Sequence, residues 1–377
     1  MSGVSPWPLP ADADSLLPLL LGGRRMLESP LSFSANGCRL SIRSNSHQLL
    51  DRLADYFGHL PRTPTHESLE IIAVERPVCD SGLPFTDWQR EPGKSGRKDA
   101  YLDLADGRLV LKVRTGMLFL QSEIRRIAAG PCLGNDNQLI NFINSQLMNR
   151  LQQRGWSICH AAALRFGDRA LALAGFSGNG KSTLMLRLME QPGYCYLTND
   201  RLFLRADDGG VMALGIPKLP RINPGTLISN PRLAPLLSPQ RRRQLGELPM
   251  QALWALEEKH DVDIAALYGG ERIDTSTPVP LGSLLILNWR HDAPEPTTLQ
   301  RVDLAQRRDL LPAVMKTPGP FYQDPSGRFQ RDDDALPERA YLQLFQQMKI
   351  FEVTGGVDFD RLVGLWEQQR SDGFRFI

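Results

Sequence analysis

A glycine-rich loop is the part of this sequence best suited to bind phosphate. Residues 175–182 read Gly-Phe-Ser-Gly-Asn-Gly-Lys-Ser, which fits the pattern G-x-x-x-x-G-K-[ST]. Its glycines let the backbone turn N–H groups toward phosphate oxygens, and its lysine adds a positive charge at the β- and γ-phosphates of a nucleotide. The expected nucleotide-binding residues are Gly175, Ser177, Gly178, Asn179, Gly180, Lys181, Ser182 and Thr183.

Phosphoryl transfer to a hydroxyl also needs a metal ion and a carboxylate that accepts the hydroxyl proton. The hydroxyl of Ser182 is an expected Mg²⁺ ligand. The best-placed carboxylate is Asp200, in Leu-Thr-Asn-Asp-Arg after a predicted strand at 195–197. We expect that strand to be a parallel neighbour of the strand before the loop, so that Asp200 lies beside the phosphates. Alternatively, Asp200 only binds metal or caps a turn.

Several basic side chains are further candidates. His160 interrupts an apolar run, so its imidazole needs a polar partner or a phosphate, although a strand histidine is more often a satisfied core residue. Lys218 and Arg221 lie in a proline-rich stretch that restricts the backbone. They and Arg272 are candidates to neutralise charge during transfer, and each also fits a solvated surface position.

The elements that position these residues predict an α/β domain, because buried strands flank the loop and an amphipathic helix follows it. A segment of mainly helical character, 226–272, comes after the proline-rich stretch. The predicted strands are 156–164, 169–174, 195–197, 284–288 and 349–353, and the predicted helices are 182–190 and 359–368. Residues 291–336 are predicted to be irregular and polar.

A second, smaller domain is predicted at the N-terminal end. An amphipathic helix is expected over 136–153, with Gly155 as its stop, and we place the domain boundary just before it. Residues 1–135 then form a small α+β domain without a chemical motif, whose role is not readable. Residues 136–377 form the phosphate-binding domain.

Composition limits the classes of partner. The chain has 377 residues, 42 % of them hydrophobic, and a net charge of +2, which is ordinary for a globular protein and gives no strong field for nucleic acid or anionic lipid. Five scattered cysteines without a C-x-x-C pair fit a reducing compartment. No apolar run approaches the ~18 residues of a membrane span, and no signal peptide is recognisable. We therefore expect a cytoplasmic protein that binds neither nucleic acid nor membrane.

The order of the motifs resembles the kinase domain of HPr kinase/phosphorylase, and more closely its bacterial HPr-kinase-related relatives. The resemblance rests on His160 fifteen residues before Gly175, on the glycine loop, on Asp200 twenty-five residues after Gly175, and on the loop 216–225 with Arg221. It covers about 150–225, more loosely 349–368, and none of the first 135 residues.

This resemblance implies a P-loop fold akin to phosphoenolpyruvate carboxykinase and a kinase that uses ATP and Mg²⁺. The γ-phosphate would pass to a hydroxyl of a protein serine or a small metabolite. His160 would lie near the transferred phosphate, Asp200 would be the general base, Asn199 and Asp200 would face the metal, and Arg221 would lie near acceptor and phosphate. The family's hexamers suggest a homo-oligomer.

Two positions depart from the family pattern. Thr183 stands where the family usually has glutamate, and Asn199 stands where it has the first of two aspartates. The neutral Asn199 binds Mg²⁺ more weakly and cannot act as a base, which counts against the reverse, phosphate-driven phosphorylase reaction and against HPr as substrate. Two other functions stay open, a nucleotide-binding scaffold or sensor with little transfer, and a simple ATPase. The sequence does not name the acceptor.

Overall fold

The chain is a mixed α/β protein with two large sheets. A computed structural model describes residues 10–89, 96–176, 178–256, 258–346 and 348–373. By contacts the chain divides into two compact units, one with residues up to Gly155 and Pro318–Ala335, the other with Trp156–Thr317 and the chain from Leu336 onward. The chain thus leaves the second unit and returns to it.

The first unit is built on an eight-stranded sheet. Its order is β1-β2-β3-β8-β7-β6-β5-β4, with β2–β3 and β3–β8 parallel and the other pairs antiparallel. The strands are β1 (Leu31–Ala35), β2 (Cys38–Ser44), β3 (Glu67–Glu75), β4 (Thr86–Asp87), β5 (Asp99–Asp103), β6 (Gly107–Lys112), β7 (Met117–Ser122) and β8 (Arg126–Gly130), and the helices α1 (Leu17–Leu21), α2 (His47–Tyr56) and α3 (Asp136–Gln153).

Two apolar layers cover this sheet. Leu53 of α2 and Ile143 of α3 belong to one buried cluster with Ile71 and Phe119, whereas Leu20 of α1 belongs to a second with Leu118. Helix α3 therefore lies in the first unit, while the sequence placed it after the domain boundary. The apolar stripe of α3 packs on the first sheet. The stripe shows that the helix is buried on one side, but it does not show which sheet the helix packs on.

The second unit holds the remaining elements. Its strands are β9 (Ser157–Cys159), β10 (Ala161–Phe166), β11 (Arg169–Gly175), β12 (Tyr194–Thr198), β13 (Leu202–Asp207), β14 (Gly210–Leu214), β15 (Arg221–Ile222), β16 (His260–Asp261), β17 (Val279–Leu287), β18 (Thr298–Arg301) and β19 (Lys349–Thr354). Its helices are α4 (Lys181–Met189), α5 (Pro224–Ser229), α6 (Pro239–Gly246), α7 (Met250–Ala255), α8 (Ile264–Tyr268), α9 (Glu338–Phe345) and α10 (Phe359–Gly373).

Nine of these strands form one branched sheet. Its main part runs β12-β10-β11-β17-β19-β18, and β14-β13-β9 branches from the first residues of β17. β11–β17 and β17–β19 pair in parallel. Leu184 of α4 and Leu362 of α10 lie in the buried cluster on one face, and Leu344 of α9 lies in the cluster on the other. Helices on both faces explain why the central strands are almost entirely apolar.

The strand predicted over 156–164 is two strands. β9 pairs with β13, β10 pairs with β11 and β12, and His160 lies between them. The backbone N–H of His160 donates to the carbonyl oxygen of Val314 at 2.7 Å. The chain changes its pairing partners at this residue, so the prediction of one continuous strand was wrong.

The region 226–272 has the mainly helical character that the sequence predicts. It contains α6, α7, α8 and most of α5, together with two short 3-10 turns at Ala234–Leu236 and Gly270–Arg272. Among the described residues, no helix combines the length and the apolar character that crossing a membrane requires.

Candidate functional site

Three chain segments meet at one edge of the second sheet. β10 lies between β11 and β12 and is antiparallel to both, with Ala161 opposite Ala174 and Ala163 opposite Thr198. The start of β10 therefore lies at the same edge as the ends of β11 and β12. This arrangement brings together His160, the glycine loop after β11 and Asp200 after β12. The expectation that β12 directly neighbours β11 was wrong, because β10 separates them, but both strands run in the same direction.

The glycine loop (175–182) leads from β11 into α4, and Ser177 lies outside the described residues. Gly180 has φ +77°, and a Cβ atom there would lie 2.6 Å from the ring of Phe359. The Asn179 side chain donates to the carbonyl oxygen of Leu287 at 2.8 Å, and the backbone carbonyl of Asn179 accepts from the Trp289 indole at 3.0 Å. These contacts hold the loop against the end of β17.

Lys181 is the first residue of α4. Its Nζ donates to the carbonyl oxygens of Gly175 at 2.7 Å and Phe176 at 3.3 Å. Burial lowers the pKa of Lys181 to about 8, an effect that Asp200 opposes and Lys316 reinforces. A partly desolvated ammonium group next to a helix N-terminus favours an anion.

The next two residues differ in their surroundings. Ser182 is half-buried. Thr183 is buried, and its hydroxyl forms a 2.7 Å hydrogen bond with the hydroxyl of Thr226. The Thr183 side chain is thus engaged in the protein interior. Its backbone N–H belongs to the first turn of α4, where N–H groups have no acceptor within the helix.

Asp200 is held by two basic side chains. His160 Nε2 lies 3.2 Å from Asp200 Oδ1, and Arg201 Nε lies 3.4 Å from Asp200 Oδ2. The Asp200 side chain is 40 % exposed, so it is reachable from solvent. Partial burial acts to raise its pKa, but Arg201, the His160 hydrogen bond and Lys218 hold the pKa of Asp200 well below its usual range. The carboxylate is ionised throughout the physiological range.

His160 has the opposite balance. The hydrogen bond to Asp200 acts to raise its pKa, but burial, together with the positive charges of Lys181 and Lys316, outweighs it, and the pKa of His160 is lowered. The imidazole is therefore mainly neutral at pH 7, and Nε2–H donates to Asp200. It fixes the orientation of the carboxylate without adding a full charge.

The proline-rich loop brings two further cations. Burial lowers the pKa of Lys218 to about 8, with Asp200 opposing this effect and Arg201 and Arg221 reinforcing it. The Tyr196 hydroxyl donates to the backbone carbonyl of Lys218 at 2.6 Å. Arg221 Nε lies 3.0 Å from Asp261 Oδ1, between the paired strands β15 and β16. Arg221 thus lies close enough to act on Lys218 and already has a carboxylate partner.

Arg272 does not belong to this cluster. Its guanidinium donates to the carbonyl oxygens of Met189 at 2.7 Å, Gln191 at 3.0 Å and Tyr194 at 2.5 Å. These carbonyls lie at and after the C-terminal end of α4, where a cation stabilises the helix. Arg272 is a structural side chain, and its candidacy as a charge-neutralising residue was wrong.

Two residues that act on the site were missed from the sequence. Arg201 directly follows Asp200, and that adjacency was an available signal. Lys316 acts electrostatically on both His160 and Lys181, because its positive charge lowers the pKa of each. It comes from a segment that the sequence predicts only as irregular, so no local pattern pointed to it.

The predicted metal ligands are one hydroxyl, one amide and one carboxylate. The Asn199 Oδ1 atom is buried and has no hydrogen-bond partner in the described part of the chain. It is next in sequence to Asp200, and oxygen atoms of these types are what Mg²⁺ prefers. In that same part of the chain, no group of three or more His, Cys, Asp and Glu side chains could hold a metal.

The arrangement as a whole is suited to an anion beside a fixed carboxylate. Lys181, Lys218, Arg201 and Lys316 all affect the pKa of Asp200 or of its neighbours. The two lysine ammonium groups are destabilised by burial, and a bound phosphate would stabilise them.

No protein-family model matches the chain, and no curated protein matches it. Among solved structures, the chain is similar to one described as the Hpr(Ser) kinase/phosphatase from Coxiella burnetii, with 9 % identity and a TM-score of 0.31. The match covers 58 % of this chain and 94 % of that chain.

Proposed function

We propose that the protein is a kinase that transfers the γ-phosphate of ATP, with Mg²⁺, to a hydroxyl of a protein serine or a small metabolite. The observation that carries the proposal is the meeting of the glycine loop and Lys181 with Asp200, a carboxylate fixed by His160 among several cations. This arrangement joins a phosphate site to a hydrogen-bond acceptor for the attacking hydroxyl.

The glycine loop and the start of α4 would bind the triphosphate. Backbone N–H groups of Gly178, Gly180 and Lys181 would donate to phosphate oxygens, and the Lys181 ammonium would leave the Gly175 carbonyl for the β- and γ-phosphates. Asn179 would act by holding the loop in place, because its side chain already binds the Leu287 carbonyl.

Ser182, Asn199 and Asp200 would hold the metal. The unpartnered Asn199 oxygen fits this role, since a buried amide oxygen without a partner is costly and a cation would satisfy it. The metal that these residues would hold would supply positive charge to neutralise part of the negative charge on the phosphate oxygens. The single carboxylate leaves the site weaker for metal than a pair of aspartates would.

Asp200 would orient the acceptor hydroxyl and receive its proton. The neutral His160 would keep the carboxylate in place by donating from Nε2. The low pKa of Asp200 makes it a weak base in the nucleotide-free protein, but the transition state of phosphoryl transfer is loose, so the hydroxyl keeps its proton until late. The negative charge of ATP would also offset Arg201 and Lys218 and thereby raise the pKa of Asp200 toward a useful range.

Lys218 and Arg221 would act on the transferred group. The desolvated Lys218 ammonium would lie toward the phosphate oxygens and neutralise the charge that they carry in the transition state. Arg221 would have to exchange Asp261 for phosphate or act through Lys218, since its guanidinium is ion-paired.

The experiment separates nucleotide binding from transfer. Purified protein is incubated with γ-labelled ATP and a fractionated bacterial extract, and ATP affinity is measured separately by calorimetry. We expect Lys181→Ala to weaken ATP binding at least ~10-fold and to abolish transfer. Measured without Mg²⁺, Asp200→Asn should bind ATP at least as tightly as the wild type. With Mg²⁺ it should transfer phosphate ~10²–10⁴-fold more slowly, because the acceptor for the hydroxyl proton and the one carboxylate ligand of the metal are both lost.

Asp208→Asn is the matched control, because Asp208 is an exposed carboxylate in the turn between β13 and β14. It should change neither the ATP affinity nor the rate of transfer. Full transfer by Lys181→Ala would refute the phosphate site, and full transfer by Asp200→Asn would refute the base. Tight ATP binding without transfer to any acceptor would instead favour the nucleotide-binding sensor. Release of inorganic phosphate in the absence of an acceptor would favour the simple ATPase.

A further inference from the structure

The first unit contains a polar cavity of about 360 Å³. It lies between α3, the strand ends around the β7–β8 turn and the returning segment at 323–327. Of its lining side chains, those of Leu69 and Pro325 are apolar and nearly all the others are amides or charged groups. The volume is that of a small-molecule site, and the lining favours a polar occupant.

Two buried amides on the cavity wall have an unused acceptor. Gln121 and Gln146 are each 1 % exposed, and the Oε1 atom of each has no hydrogen-bond partner among the described residues. The Gln146 amide is oriented, because its Nε2 donates to the carbonyl oxygen of Phe142 at 3.3 Å. Its Oε1 is therefore an acceptor that awaits a donor. Buried polar groups are normally hydrogen-bonded, so these two oxygen atoms favour a ligand or water that donates.

Two guanidinium groups line the same cavity. Arg150 Nε forms an ion pair with Glu67 at 2.8 Å. Arg126 forms an ion pair with no carboxylate in the described part of the chain, and its Nη2 donates to the backbone carbonyl of Glu123 at 2.7 Å. Burial lowers the pKa of Arg126, and the charge of Arg150 lowers it further. An anion between these two side chains would oppose both effects.

The acidic side chains of the lining are partly engaged elsewhere. Asp324 accepts from the Ser326 hydroxyl at 2.6 Å and from the backbone N–H of Arg328 at 3.0 Å. It thus stabilises its own loop. Glu123 also lines the cavity, and it balances one positive charge at most.

We propose that this cavity binds a small carboxylic acid that also carries amino or hydroxyl donors, as an amino acid or a hydroxy acid does. Its carboxylate would lie between Arg126 and Arg150, where planar guanidinium groups can donate two hydrogen bonds to it. Its donors would satisfy the Oε1 atoms of Gln121 and Gln146. The site belongs to the first unit, whereas the glycine loop belongs to the second, so it is a binding site of its own.

The test measures binding to the full chain. The twenty proteinogenic amino acids and a set of 2-hydroxy acids are screened at about 5 mM by saturation-transfer NMR, and hits are titrated by calorimetry. We expect at least one of these acids to bind the wild type. Arg126→Gln and Gln146→Leu should each weaken that binding at least ~10-fold, since each removes a charged or buried hydrogen-bond partner.

Two neighbouring variants serve as matched controls. Arg125 pairs with Asp14 at 2.8 Å, and the Gln152 amide donates to the Met148 carbonyl at 3.2 Å, and neither residue lines the cavity. Arg125→Gln and Gln152→Leu should bind like the wild type. Circular dichroism checks that each variant is folded, and if Arg126→Gln is not, Gln146→Leu decides.

Three outcomes would overturn the proposal. The first is that none of the screened acids binds. The second is that a hit binds the folded cavity variants as tightly as the wild type. The third is that acetate or inorganic phosphate binds as tightly as the best acid, which would mean an adventitious ion only and no use of the amide acceptors.

Discussion

At the scale of single residues, the charge state of Asp200 is set by its sequence neighbour Arg201 and by side chains far from it in the sequence. The chain position of Asp200 after a predicted strand was enough to select it as a candidate. Its ionisation depends on His160, Arg201 and Lys218, which come from three different segments. A linear pattern can show that a carboxylate follows a strand, but only the pairing of β10 with β11 and β12 shows which cations surround it.

The depressed lysine pKa values predict a proton uptake on ATP binding. Lys181 and Lys218 have pKa values of about 8 without a ligand, and phosphate oxygens nearby should raise both. At pH 8 each lysine is about half deprotonated, so binding should take up ~1 proton in total, and ATP affinity should fall as the pH rises above 8. Calorimetry at pH 8 in two buffers of different ionisation enthalpy measures the uptake.

Lys218→Met should reduce this uptake by about half, and the contribution of the two lysines should almost vanish at pH 6.5, because both are already protonated there. Binding enthalpies that do not depend on the buffer at pH 8 would contradict the prediction. In the ATP-free protein, Lys181 has a pKa of about 8 in the folded chain and the ordinary value of 10.5 in the unfolded chain. Between pH 8 and pH 10.5 the unfolded chain therefore binds more protons than the folded chain. The free energy of unfolding should therefore rise with pH across that window.

At the scale of elements, local patterns located the strand, the loop and the helix but not how the strands connect. The run from Trp156 to Leu164 is apolar on both sides of His160 and gives no sign of a break. The break arises because β9 pairs with β13 while β10 pairs with β11 and β12, and these are contacts between distant parts of the chain. The spacing of apolar residues and their strand propensity do not specify which strand pairs with which.

The tight packing of the loop against α10 predicts the effect of a single methyl group. Gly180→Ala would place a Cβ at φ +77° and 2.6 Å from the Phe359 ring. Left-handed backbone costs a non-glycine residue ~1–2 kcal/mol, and the ring must also move. We expect ATP affinity to fall at least ~10-fold, as measured by calorimetry, because the loop N–H groups shift.

Gly209→Ala is the control for that substitution, because a Cβ at Gly209 meets nothing within 4 Å. It should leave ATP affinity unchanged. A double variant, Gly180→Ala with Phe359→Leu, should recover the part of the loss that is due to the ring. Unchanged affinity in Gly180→Ala alone would show that the loop conformation does not govern binding.

At the scale of the whole molecule, the first unit is discontinuous in sequence. The segment Pro318–Ala335 contributes Phe321, whose ring lies 5.2 Å from that of Phe142 and 5.9 Å from that of Phe119. The sequence predicts this segment only as irregular and polar. Nothing local distinguishes a surface loop from one that supplies an aromatic side chain to a distant core, so the division into units could not be predicted from the sequence.

Arg108 of β6 connects the segment Pro318–Ala335 to the first sheet. Its side chain is buried, pairs with Asp103 at 2.5 Å, donates to the carbonyl oxygen of Gln330 at 2.7 Å and lies over the Tyr101 ring. Arg108→Ala would leave these acceptors without a partner, and we expect it to lower the free energy of unfolding by ~3 kcal/mol or more. Urea unfolding measures this value.

Arg43→Ala is the matched arginine control, since the Arg43 side chain is 42 % exposed and lies 4.0 Å from Glu70. It should change stability by no more than ~0.5 kcal/mol. The Arg108 variant should also be cut faster by protease within 318–335. Equal stability of the two variants would mean that the segment is held by other contacts.

The discontinuity of the first unit also orders events during protein synthesis. A nascent chain that has emerged only to Gly155 has all eight strands of the first sheet but lacks Phe321 and the backbone carbonyls that Arg108 requires. Domains generally fold as units while the ribosome extends the chain from its N-terminus. Here the first unit stays incompletely packed until Ala335 has left the exit tunnel, which is after most of the second unit has been made.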